Sequence, residues 1–164
     1  MKKVRKGFTL VELLIVIVII GILAAAMLLS SGSATDSAEA SNIISDLRGM
    51  KSASLMFYAD HMSEVNDVGF DFGDHLAEVR LYMDNPARVT TAAGYKTSMT
   101  ADGTWFVGYD AASRTAGVQR RLAQRAGQVG LFLTPFDPVN PTTGALQNGS
   151  PYVAGNTPVW MIAR

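Results

Sequence analysis

No cysteine occurs anywhere in this 164-residue chain, so no disulfide closes a loop and no thiolate serves as a nucleophile or metal ligand. Only two histidines are present, His61 and His75, and they do not sit at a zinc-ligand spacing. No nucleophile elbow and no phosphate loop can be found, because the glycines Gly69 and Gly73 do not follow a strand into a helix. No catalytic residue is therefore assigned, and an enzyme is not expected. Proline is also unevenly supplied: five of the six lie between 134 and 158, and none precedes Pro86. Acidic residues are missing from the first eleven positions, which hold Lys2, Lys3, Arg5 and Lys6. A chain starting at Phe8 would carry ten basic residues against fourteen acidic ones, a net charge of −4 that argues against a general nucleic-acid binder.

What is present is apolar. Hydrophobic residues make up 48% of the chain and mean hydropathy is +0.17, too high for a disordered protein. The excess sits in residues 8–29, which contain one charge, Glu12. That run of 22 residues would be roughly 33 Å long as a helix, the thickness of a bilayer core. The basic residues ahead of it keep the leader cytoplasmic and send the rest across the membrane. A carboxylate at the edge of hydrocarbon is costly and needs a partner. The nearby cations all precede Gly7, so a cut after Gly7 would supply a new one, the terminal amine of Phe8. A Sec-type signal peptide fits poorly, since the apolar stretch is too long and 30–34 only mimics a cleavage site. An ordinary signal anchor, with an exported enzyme or binding protein behind it, is the remaining reading of another class.

The stretch Gly7-Phe8-Thr9-Leu10-Val11-Glu12-Leu13-Leu14-Ile15-Val16, continued by Ile19-Ile20-Gly21-Ile22-Leu23-Ala24-Ala25, resembles the class III signal of type IV pilins and of type II secretion pseudopilins. The resemblance covers about the first quarter of the chain. It implies an α+β fold, pilin-like, with a long N-terminal helix packed on a small antiparallel sheet. It also implies cleavage between Gly7 and Phe8 by a prepilin peptidase, N-methylation of Phe8, and assembly that depends on Glu12. The product would be a structural subunit that polymerises with itself into a pilus filament, with a periplasmic secretion pseudopilus as the alternative. Implied partners are the peptidase, an inner-membrane assembly platform and its ATPase. The precursor would be single-pass in the inner membrane and the filament would lie at the cell surface. Relatives usually carry a proline near the end of the apolar run, where this chain has Leu29. Gly21 and Ser30-Ser31-Gly32 are then the weak points for bending.

The expected organisation is a leader, 1–7, an apolar assembly helix, 8–32, and a globular domain, 33–164. From Ser33 on, Ala40, Ile43, Ile44, Leu47, Met50, Phe57, Tyr58 and Met62 recur at helical spacing, predicting one helix from Phe8 to about Met62. A short helix is expected over 71–83, a hairpin from Tyr95–Thr100 and Thr104–Tyr109, and a helix over 115–126. Val129–Leu133 and Pro158–Ile162 complete an expected sheet of about four strands, with an irregular loop at 134–158. Relatives often pin that region with a disulfide or calcium. Here calcium would lean on carbonyls, Asn side chains and the loop's single carboxylate, Asp137, so no cofactor is expected, with calcium as the one alternative. Asp67, Asp71 and Asp74 read as turn and cap residues. Arg114, Arg121 and Arg125, with Arg120 beside them, read as the solvated face of a helix.

Overall fold

The computed structural model describes residues 8–65, 69–100, 103–133, 150–155 and 158–164, and of residues 29–31 the backbone alone. The chain divides into two compact units, one ending at Thr35 and one spanning Asp36–Arg164. Helix α1, Leu10–Asp60, belongs to both, and its α-helical conformation runs through Gly21 and Gly32 without a break.

In the first unit α1 is apolar on every side. From Leu10 to Leu28 its large aliphatic residues are more than half exposed, from 51% at Val16 to 81% at Leu10. Nothing among the described residues of the unit covers them, and the helix is long and apolar enough to cross a membrane. A helix hydrophobic all round belongs in lipid or inside a bundle of other helices.

In the second unit α1 becomes one-sided, and that stripe nucleates the core. Ala40, Ile43, Ile44, Leu47, Met50, Ala53 and Phe57 are each at most 5% exposed. They pack with an antiparallel sheet, β1 Tyr95–Met99, β2 Trp105–Tyr109 and β3 Val159–Ile162, in the order β1-β2-β3. The hairpin register pairs Tyr95 with Tyr109 and Met99 with Trp105, and β2 pairs with β3 through Phe106–Ile162 and Gly108–Trp160. Alternation along the central strand sends Trp105, Val107 and Tyr109 into the core shared with α1, while Phe106 is fully buried on the other face. Trp105 stacks on Phe72 at 4.2 Å and meets Phe57 at 6.2 Å, anchoring α1 to β2. Burying an aromatic of this size withdraws about 150–250 Å² from water, roughly 4–6 kcal/mol at 25 cal/mol per Å².

Helix α4, Ala116–Val129, opens on Thr115, whose hydroxyl accepts from the Val118 amide at 3.2 Å. Val118, Leu122 and Ala126 form its buried stripe, at the expected spacing. It closes on Gly130 in the left-handed region, φ 71°, with the Gly130 amide donating to the Ala126 carbonyl at 3.0 Å.

Three expectations are corrected. The segment expected as one helix over 71–83 is instead a 3-10 turn Phe72–Asp74, helix α3 Leu76–Val79 and a second 3-10 turn Arg80–Tyr82. The Asp71 carboxylate accepts from the Gly73 amide at 2.8 Å and fixes a tight turn where an α-helix would have started. Phe72, Leu76 and Val79 are buried all the same, because either helical form puts them on one side. Second, Val129–Leu133 is not a strand. Helix α4 continues to Val129 and Gly130 caps it, leaving Phe132 to form isolated bridges with Pro151 and Trp160. The sheet among the described residues therefore has three strands. Third, α1 stops at Asp60 and a one-turn helix α2, Met62–Val65, follows, so Met62 is half exposed and outside the stripe.

Candidate processing and assembly segment

Gly7 lies outside the described residues, as does Asp67 and most of the 134–158 loop with its calcium alternative. Phe8, the first described residue, is 87% exposed just ahead of α1. Thr9 and Glu12 form a reciprocal cap at the start of the helix. The Glu12 amide donates to the Thr9 hydroxyl at 3.2 Å, and the Glu12 carboxylate accepts from the Thr9 amide at 2.8 Å and the Thr9 hydroxyl at 2.7 Å. The Leu13 amide donates to the Thr9 carbonyl at 3.3 Å, the first bond of the helix ladder. Thr-x-x-Glu is the capping-box pattern, and it satisfies two amides that would otherwise be orphaned.

Thr9 is thus a site residue that the sequence reading above does not single out, although the Thr9–Glu12 spacing was available to find it. Its presence changes the chemistry of Glu12. The carboxylate is not idle within a single chain, because it ends the helix. The box itself supplies neutral donors only, so among the described residues no cation pairs with the carboxylate's charge. A cation delivered to the Phe8 nitrogen would arrive one residue before the cap, at the same end of the helix.

The other candidates resolve into structural roles. His61 stacks on Phe57 at 4.3 Å and His75 stacks on Phe70 at 4.8 Å, so both belong to the aromatic shell around Trp105. Among the described residues no group of three or more His, Asp or Glu could hold a metal ion. The arginines of α4 do not form a purely solvated face. Arg125 donates to the Ser41 hydroxyl at 2.6 Å, and Arg114 pairs with Glu39 at 3.0 Å while its Nε donates to the Tyr109 hydroxyl. Both tie α4 or its lead-in to α1. On the same side of α1 as Glu39, seven residues further on, Asp46 accepts from Arg88 at 2.9 Å and from the Tyr95 hydroxyl at 2.6 Å. Burial, with the Asp46 carboxylate next to it, pushes the Tyr95 hydroxyl far above its ordinary pKa, so it remains a donor.

Comparison with known proteins agrees with this geometry. Residues 2–28 match the family model of the prokaryotic N-terminal methylation motif. The chain is similar to the type IV major pilin protein PilE1 of Neisseria gonorrhoeae, 46% identical over 61 residues, which are 37% of each chain. It is equally similar to a fimbrial protein of Neisseria meningitidis serogroup B, 46% identical over 61 residues, 37% of this chain and 36% of that one. The chain thus spans little more than a third of the length of the curated relatives it matches. No solved structure matches it significantly. Over this matched stretch the chain is similar to type IV pilins, and it combines a long N-terminal helix with a small antiparallel sheet.

Proposed function

We propose that this chain is the structural subunit of a type IV pilus filament, made as a membrane precursor and polymerised through α1. The observation that carries the reading is the all-round exposed apolar helix Leu10–Leu28 placed directly behind the methylation motif. Exposed apolar area of this extent demands either lipid or other apolar helices, and a filament subunit meets both in turn.

The likeness of the N-terminal motif to the methylation motif supports the following sequence of events. The precursor sits in the inner membrane with its basic leader cytoplasmic. A prepilin peptidase hydrolyses the Gly7–Phe8 bond and methylates the amine it frees on Phe8. An assembly platform and its ATPase then extract the subunit from the bilayer. As apolar helices exchange lipid for one another, the Glu12 charge of an incoming subunit comes under the field of a neighbour's Phe8 ammonium. An unpaired charge in that surround is heavily penalised, so only the axial register that pairs them is stable. Relatives named as major pilins favour the pilus over the secretion pseudopilus. Mass spectrometry of the purified subunit tests the reading, with N-methyl-Phe8 as the expected first residue. A mature chain starting near Ser33 would refute it. Electron microscopy of sheared cell-surface material should show long filaments of this subunit.

A further inference from the structure

We propose that the two sides of α1 in the second unit carry the halves of one contact between copies of this chain. An acid-rimmed knob centred on Leu81 of one copy seats in a cation-rimmed apolar cleft of the next, beside Arg48 and Lys51. The inference rests on the filament reading above and specifies which globular surfaces meet.

The knob lies where the 80–88 segment covers α1. Asp46 accepts from Arg88 at 2.9 Å, and a Cβ on Gly49 would lie 2.9 Å from the Met83 methyl carbon, which fixes that segment on this side. Leu81 is 69% exposed there, with exposed Glu78 and Asp84 three residues to either side. The Tyr82 hydroxyl donates to exposed Asp60 at 2.9 Å, which joins the end of α1 to the same surface. Residues 60–84 carry seven carboxylates against one cation, Arg80. Among the described residues Asp60, Glu64, Asp74 and Asp84 form no ion pair.

The cleft lies across the helix. At about 100° per residue, positions 48 and 51 fall on the opposite side of α1 from 46 and 49. Arg48 and Lys51 border a cleft of about 310 Å³ whose walls include Val129, Phe132, Met161 and Ile162. Both cations are exposed and form no ion pair among the described residues. Helix α4, whose last residue Val129 is in the cleft wall, contains three arginines and no acidic residue.

An exposed leucine between carboxylates matches an apolar cleft between cations in both shape class and charge. One chain cannot make the contact with itself, because α1 stands between its halves. The contact is therefore heterologous, and a heterologous contact that does not close on itself generates an open helix, the symmetry of a filament. The rim charges would fix partner orientation and speed docking more than they add affinity.

The absence of cysteine makes the test clean. The full chain carrying both Leu81→Cys and Lys51→Cys, assembled on cells and mildly oxidised, should give a ladder of disulfide-linked multimers. Either single variant should remain monomeric on the same gel. Filaments of the double variant that show no ladder would overturn this contact while leaving the filament reading intact. Absence of filaments from the unsubstituted chain would remove both. As a second measurement, Arg48→Glu with Lys51→Glu should abolish filaments, and adding Glu78→Lys with Asp84→Lys should restore them. Wild-type filament yield from the first pair would also overturn the proposal.

Discussion

Gly108 and Trp160 face each other across the β2–β3 pair, and the indole lies directly over the glycine. A Cβ built on Gly108 would fall 2.7 Å from the Trp160 Cζ3 atom, closer than any unstrained contact. The central strand thus forgoes a side chain so that a tryptophan on its neighbour can cover the backbone and fill the space. Gly108→Ala should cost roughly 1–3 kcal/mol, since the ring cannot move without losing its own burial. Thermal unfolding of a truncated chain beginning at Ser33 checks this; an unchanged Tm would mean that the indole is free to shift.

Tyr152 presents the reverse situation, a polar atom with nothing to bond among the described residues. Its ring is 1% exposed and its hydroxyl has no hydrogen-bond partner among the described residues, and burial raises its pKa. Tyr152→Phe removes a desolvated donor while keeping the ring. Stability should stay level or rise, which denaturant titration would detect, because the penalty of an unmade bond disappears with the hydroxyl. A clear loss of stability would show that the hydroxyl finds a partner in solution.

Glu12 does two jobs, and two substitutions separate them. Glu12→Gln keeps a side chain able to complete the capping box with Thr9 and removes the charge. Glu12→Ala removes both. Each should insert into the membrane at least as well as the parent, since a charge at the edge of hydrocarbon is costly. Both should lose filaments, as counted by electron microscopy of sheared material. Full filament yield from Glu12→Gln would mean that capping, and not pairing with a Phe8 amine, is what assembly needs.

Asp110 makes the second unit of the chain acid-sensitive in a defined direction. The Ala112 amide donates to its carboxylate at 3.0 Å, and with Lys96 at 3.3 Å this holds its pKa below the ordinary value. A depressed folded pKa contributes stability that is present above the unfolded pKa and lost as pH falls through the carboxylate range. The chain beginning at Ser33 should therefore lose stability on acidification below about pH 4, and Asp110→Asn should flatten part of that loss. Parallel curves for the two proteins would rule Asp110 out as a contributor.

That same truncated chain should be a soluble monomer that folds without metal or reductant. Its core residues, Ala40 to Ala163, all lie in the second unit, so no buried partner is removed with the apolar segment. It should not polymerise by itself, because the Leu81 contact is too small to hold a fibre without packed helices. Filaments of the truncated chain seen by electron microscopy would move assembly into the globular unit.

The sequence by itself determined whatever depends on spacing along the chain. The apolar run and the Gly7-Phe8 and Glu12 pattern are linear signals. The stripe Ile43, Ile44, Leu47, Met50 and the stripe Val118, Leu122, Ala126 follow from a period of 3.6 residues. The hairpin was legible because Ala101-Asp102-Gly103 separates two β-prone runs in the sequence. Thr9 was legible too, three residues before Glu12, in a pattern that depends on neighbours alone. The tertiary structure decided everything that joins distant positions. Asp46 bonds Tyr95 49 residues away, and Arg125 reaches Ser41 across 84. Phe132 was kept from strand formation by the length of α4 and is held to β3 by backbone hydrogen bonds exchanged with Trp160. Local propensity is written into each segment, but which faces meet is set by the packing of all of them at once. That is why Arg114 and Arg125 read as solvated in the sequence yet bind α1 in the fold, and why the two sides of α1 became distinguishable only there.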